Sequence, residues 1–125
     1  NRTISYIKTF ALWELLLGLS VTTPDQASAV DPNLIDYAGT GPIFATATKQ
    51  DHDAPLGLPG LRDCIARTPV PSVAIGGLYA QHVPGVIAAG AQGIAVVSAI
   101  CGTPDPGAAT ASLLRAITTA KGRAQ

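Results

Sequence analysis

The sequence predicts an α/β fold built on a parallel sheet. Short apolar runs are each followed by a stretch with helical spacing, four times over, and the runs are apolar throughout instead of alternating with polar residues. Strands covered on both faces read this way, and helical crossovers between them imply parallel pairing. Length bounds the architecture. Four β/α units in 125 residues leave about thirty residues each, whereas a complete eight-unit barrel takes about 250. The chain therefore reads as half a barrel or a small open sheet.

Residues 1–14 are a lead-in without clear period, holding Ile4, Tyr6, Ile7, Phe10 and Trp13. Residues 15–21, Leu-Leu-Leu-Gly-Leu-Ser-Val, are the first predicted strand. Thr23 suits an N-cap and Pro24 the first position of a short helix over 24–29. The second strand covers 35–39 and ends near Gly41-Pro42. A loop of about fifteen residues follows, long enough inside a compact domain to suggest function. The next helix, 58–67, places Leu58, Leu61, Cys64 and Ile65 on one face. Pro69 and Pro71 stop it and introduce a third strand over 72–75, closed by Gly76-Gly77. A helix over 80–89 puts Val83, Val86 and Ile87 on one stripe, with Gly90 as its cap. The fourth strand is 93–98. An alanine-rich helix opens at Asp105-Pro106 and runs to about Lys121, with Leu113, Leu114 and Ile117 predicted inward.

Eight basic and eight acidic residues cancel to a formal charge of zero, which gives no support for a nucleic-acid surface or a basic membrane patch. Charged residues make up 13% of the chain and hydrophobic ones 47%, against roughly 25% charged in an average soluble domain. Such a chain is mostly core, or it lacks the partner that would cover it. Cys64 and Cys101 stand far apart with no CxxC or Cys/His spacing, so they read as reduced, packed thiols of a cytoplasmic protein. Arg2, Lys8, the apolar run from Phe10 and Ala27-Ser28-Ala29 imitate a signal peptide. Glu14 interrupts that run, which continues into the first strand, so the segment is read as part of the fold. No apolar stretch reaches the roughly eighteen residues of a membrane span.

In parallel α/β folds, ligands bind at the carboxyl ends of the strands. The polar features of this sequence fall there. Ser20 closes the first strand. Thr46, Thr48 and Lys49 follow the second, two hydroxyls and an ammonium suited to an anionic substrate. Gly76-Gly77 follows the third, where missing side chains let a ligand approach the backbone amides. Val97-Ser98 closes the fourth. Together the last two ends predict a phosphate site. Asp51, His52 and Asp53 are adjacent in one loop and read as turn-stabilising side chains, so no metal ligand is assigned. No nucleophile elbow, P-loop or GxGxxG is present.

Six collinear motifs carry a family resemblance. They are Gly18-Leu19-Ser20-Val21; Asp36-Tyr37 with Gly41-Pro42-Ile43-Phe44; Thr46-Ala47-Thr48-Lys49; Gly57-Leu58; Ala74-Ile75-Gly76-Gly77-Leu78; and the run from Gly93 to Ile100. In order and spacing they resemble the carboxyl-terminal half of thiamine-phosphate synthase, from its fifth strand to its eighth. The resemblance implies a TIM barrel that joins a hydroxymethylpyrimidine diphosphate to a thiazole phosphate, releasing pyrophosphate, with Mg²⁺. It implies that residues 15–125 are the second half of such a barrel. Thr46 and Thr48 would contact the thiazole phosphate, and Gly76, Gly77, Val97 and Ser98 would hold its phosphate group. Ser20 and Lys49 would contact the pyrimidine diphosphate, with Lys49 neutralising charge on the departing pyrophosphate.

The family's first four strands supply a basic pair after a Gln-Leu-Arg segment, an Asn-Asp pair and a second aspartate for the diphosphate and Mg²⁺. This sequence contains none of them. The leading expectation is a truncated thiamine-phosphate synthase with small-molecule substrates. The alternatives are the related thiazole tautomerase, which the Thr-x-Thr-Lys stretch disfavours, and a catalytically inactive phosphate-binding half-barrel that pairs with a copy of itself or a barrel-completing chain.

Overall fold

The computed structural model describes residues 15–45 and 54–124. Four strands, β1 (Gly18–Val21), β2 (Tyr37–Thr40), β3 (Ser72–Ile75) and β4 (Gly93–Ala95), form one sheet in the order β1-β2-β3-β4, with every neighbouring pair parallel. The helices between and after them are α1 (Pro24–Ser28), α2 (Gly57–Arg67), α3 (Val83–Ala88) and α4 (Pro106–Ala124). This is the predicted strand-helix alternation.

Register decides which side of the sheet the helices cover. Partners in a parallel ladder point to the same side, and alternate residues to opposite sides. Val21, Thr40, Ala74 and Ile94 form one row across the sheet, and Leu19, Ala38 and Ser72 another. All of these are buried except Leu19 and Ile94, which are partly so. They pack under the helices. Val21 and Ala38 meet Ala27 of α1 and Cys64 of α2, Ala74 meets Leu61 and Val86, and Ile94 packs against Val83, Ile87 and Leu113.

The alternate rows, Gly18-Tyr37, Ser20-Gly39-Val73-Gly93 and Ile75-Ala95, point away from the helices. Tyr37 is 39% exposed there and Ile75 43%. The expectation of strands covered on both faces is therefore met on one face only. Composition alone did not separate the two faces, because both rows are apolar or small.

The caps explain where helices begin. The Thr23 hydroxyl accepts the Gln26 N–H at 3.2 Å and Pro24 stands at the start of α1. The Asp105 carboxylate accepts the Ala108 N–H at 3.0 Å ahead of α4. The predicted 80–89 helix divides into a 3₁₀ turn, Ala80–His82, and α3. Pro84 is the reason: lacking an N–H, it fits only the opening turn of an α-helix.

Several expectations need correction. Leu15 and Leu16 lie outside β1 and are 60% and 78% exposed. Neighbouring β2 starts only at Tyr37, opposite Gly18, so they have no strand to pair with. β2 is shifted by two residues from its expected start, since Ile35 is held in a turn by the Asp31 carbonyl. β4 stops at Ala95 because β3 supplies no partner beyond Ile75. Leu114 is 62% exposed, not inward, while Leu113 is buried. Cys64 is buried as expected, but Cys101 is exposed, and both are free thiols. Burial, reinforced by the neighbouring Asp63, pushes the Cys64 thiol up. The lead-in, residues 1–14, lies outside the described residues.

Candidate functional site

The β2–α2 connection leaves the sheet at Gly41 and returns at Leu56. Both of its stems are pinned. The Ile43 and Phe44 N–H groups donate to the Ile75 and Gly76 carbonyls at 3.0 and 3.1 Å. The Leu56 and Gly57 N–H groups donate to the Pro42 and Ile43 carbonyls, each at 2.8 Å. The segment between therefore springs from a fixed base beside the end of β3. Thr46, Thr48 and Lys49, with Asp51, His52 and Asp53, fall in this segment and lie outside the described residues.

The end of β3 is shaped by two glycines. Gly76 and Gly77 have φ of +103° and +66°, which side-chain-bearing residues rarely adopt. A Cβ on Gly77 would stand 2.7 Å from the Ala45 carbonyl oxygen and 2.9 Å from that of Phe44. One on Gly76 would stand 2.6 Å from the Pro42 Cα. These residues are glycine because the β2 loop passes against their backbone.

β3 and β4 stay paired up to Ile75 and Ala95, so Gly76-Gly77 and Val97-Ser98 leave the same end of the sheet from adjacent strands. At Val97 the chain folds into a tight turn, its carbonyl accepting the Ile100 and Cys101 N–H groups at 3.1 and 2.7 Å. Val97 is 51% exposed and Ser98 is exposed. Ser20 stands near the carboxyl end of β1 on the face away from the helices, beside Gly39. Described site residues from β1, β3 and β4 thus share the carboxyl end of one sheet.

Sequence reasoning did not identify His82 or the stem contacts. His82 closes the 3₁₀ turn after Gly77, and its ring lies 4.5 Å from that of Phe44, centroid to centroid. An isolated histidine seven residues from the nearest strand end offers no motif that would have exposed this. A groove of about 440 Å³ between α3 and α4, lined by Pro84, Ala88, Arg115, Thr119 and Arg123, lies among helix residues and is not part of this site.

Among the described residues no three His, Cys, Asp or Glu side chains group as a metal site would require. Mg²⁺ is commonly held by one or two carboxylates together with substrate phosphates, and the described residues assign it no ligand. Among the same residues no helix is long and apolar enough to cross a membrane.

A family profile described as thiamine monophosphate synthase matches residues 6–100. A thiamine-phosphate synthase from Moorella thermoacetica is 44% identical over 110 residues, covering 88% of this chain and 52% of that protein. One from Laribacter hongkongensis is 48% identical over 100 residues, covering 80% and 47%. Among solved structures, a thiamine phosphate pyrophosphorylase from Pyrococcus furiosus superposes with a TM-score of 0.80 at 32% identity, over 94% of this chain and 55% of that one. A 3-hexulose-6-phosphate synthase, at TM-score 0.67 and 23% identity, over 91% of this chain and 55% of that one, shares the TIM-barrel type of fold. The chain spans about half the length of the curated relatives it matches.

Proposed function

We infer the function of this chain from the family to which it belongs, thiamine monophosphate synthase: it carries the thiazole-phosphate half of a thiamine-phosphate synthase site. The observation that carries this reading is the adjacency of Gly76-Gly77 and Val97-Ser98 at the ends of paired strands, next to the base of the Thr46–Lys49 segment. Backbone amides at a glycine turn and a serine at the neighbouring strand end suit a phosphate monoester.

In this reading residues 15–125 are the second half of an eight-stranded barrel, equivalent to its fifth to eighth strands. Gly76, Gly77, Val97 and Ser98 hold the thiazole phosphate group, and Thr46 and Thr48 orient the rest of that molecule. Ser20 and Lys49 contact the pyrimidine diphosphate. As its C–O bond breaks, negative charge grows on the departing pyrophosphate, and the Lys49 ammonium stabilises it without transferring a proton. The aminopyrimidine supports the carbocation left behind. Mg²⁺ belongs to the diphosphate side of the reaction, where the described residues offer it no ligands. The sheet face away from the helices and the outer edges of β1 and β4, which pair with no strand among the described residues, are completed by further strands, from more of the same polypeptide or from a second chain. Two free cysteines support a cytoplasmic setting.

Coupling is tested by supplying the purified chain with both substrates and Mg²⁺ and following pyrophosphate. Little or no turnover is expected from the chain alone, and turnover is expected when the first four strands of a relative are supplied in trans. Steady release by the chain alone would show that the diphosphate site does not require those strands.

A further inference from the structure

We propose that His82 is a positioning residue that fixes the root of the Thr46–Lys49 segment against the phosphate loop. Phe44 is held both at its backbone and at its ring. Its N–H donates to the Gly76 carbonyl at 3.1 Å, and its own carbonyl passes within 2.9 Å of the Cβ position that Gly77 leaves vacant. The backbone of Phe44 is thus tied to the phosphate loop. Its ring is held by something else. The His82 imidazole lies across it at 4.5 Å, tilted by 37°, within the spacing at which aromatic rings attract.

His82 is itself held in place. Its ring Nδ1 accepts the Tyr79 backbone N–H at 3.0 Å, and the His82 backbone N–H donates to the Tyr79 carbonyl at 2.9 Å. An accepting nitrogen carries no proton, so the neutral ring bears its hydrogen on Nε2. The Tyr79 ring flanks it at 6.3 Å. The 3₁₀ turn that follows the phosphate loop therefore orients one imidazole, and that imidazole contacts the aromatic side chain two residues before Thr46. A ligand phosphate that orders residues 76–79 would order the base of the β2–α2 segment through the same contact. Only the identity of that ligand rests on the functional reading above.

Three variants of the full chain separate this role from a merely local structural one. His82→Asn keeps an oxygen able to accept the Tyr79 N–H but removes the ring face. His82→Phe keeps the face and removes the acceptor. Phe44→Leu removes the opposing ring. Hydrogen exchange of the stem residues 43–45 and 56–57 in the ligand-free chain is expected to quicken about threefold to tenfold in His82→Asn and in Phe44→Leu, and to a lesser extent in His82→Phe, which keeps the ring but loses its orienting bond. The double variant His82→Asn with Phe44→Leu should exchange no faster than either single one. Unchanged exchange in His82→Asn, additive effects in the double variant, or faster exchange spread through β3 and α3 would overturn the proposal. Titration with thiazole phosphate is a separate arm. If the wild-type chain fails to bind it while the exchange pattern holds, the functional reading is wrong and the positioning role of His82 stands.

Discussion

The two faces of the sheet use similar residues to different ends. On the helix-covered face Val21, Ala38, Thr40, Ser72 and Ala74 are 0–2% exposed, packed beneath α1, α2 and α3. On the other, Tyr37 and Ile75 are about two-fifths exposed, beside Gly39, Val73 and Ser20. Burial of apolar area is the main source of folding free energy, so the covered face carries the stability of this chain. The other face carries Ser20 and the partly exposed Tyr37 and Ile75. One sheet thus has a face that holds the fold and a face that stays partly exposed.

Truncation on the covered face gives the largest expected effect. Leu61 is fully buried against the β3 side of the sheet, so Leu61→Ala should lower stability by about 2–5 kcal/mol in urea unfolding. A loss below that of surface substitutions would mean the covered face is not the core. Next comes the strand end. Gly77→Ala forces a Cβ into the left-handed region and against two carbonyls, which should cost about 1–3 kcal/mol and displace the Gly76-Gly77 turn. A variant as stable as wild type would show that the loop relaxes freely.

A smaller effect follows from Cys64. Its thiol is raised by burial first and by Asp63 second, so the folded state disfavours the thiolate. The stability contribution is fully present below the ordinary thiol value of about 8.5 and is lost as pH rises through the raised folded value. Alkaline unfolding should therefore flatten in Cys64→Ala. A native-state alkylating reagent should label exposed Cys101 well before Cys64. The smallest effect belongs to the open face, where Ile75 is 43% exposed and Ile75→Ser should lower the stability of the isolated chain by about 1 kcal/mol. A loss comparable to that of Leu61→Ala would mean the open face is already covered, and light scattering would then report an assembly.

The kind and order of the elements were legible because they depend on local signals. Thr23-Pro24 and Asp105-Pro106 mark helix starts by capping chemistry, and the runs around Val21, Ala38, Ala74 and Ile94 mark strands by composition. Their lengths were not legible, because a strand ends where its neighbour stops offering hydrogen bonds. Leu16 and Val97 are apolar enough for a strand, yet no partner faces them. Within the site, the glycines and hydroxyls at the strand ends could be read from the sequence, since each lies beside an apolar run. The pinning of Leu56 and Gly57 on Pro42 and Ile43, and the stacking of His82 on Phe44, join residues far apart in sequence without motif or period. Only the folded chain reveals them.

The central claim is that the ends of β3 and β4 form a phosphate site in this chain as it stands. Isothermal titration with thiazole phosphate tests it most directly, on protein shown to be folded by circular dichroism and in parallel with Ser98→Ala. The account predicts saturable binding by the wild-type chain that weakens by about tenfold in the variant. A folded chain that takes up no thiazole phosphate, or one whose binding ignores Ser98, would contradict it.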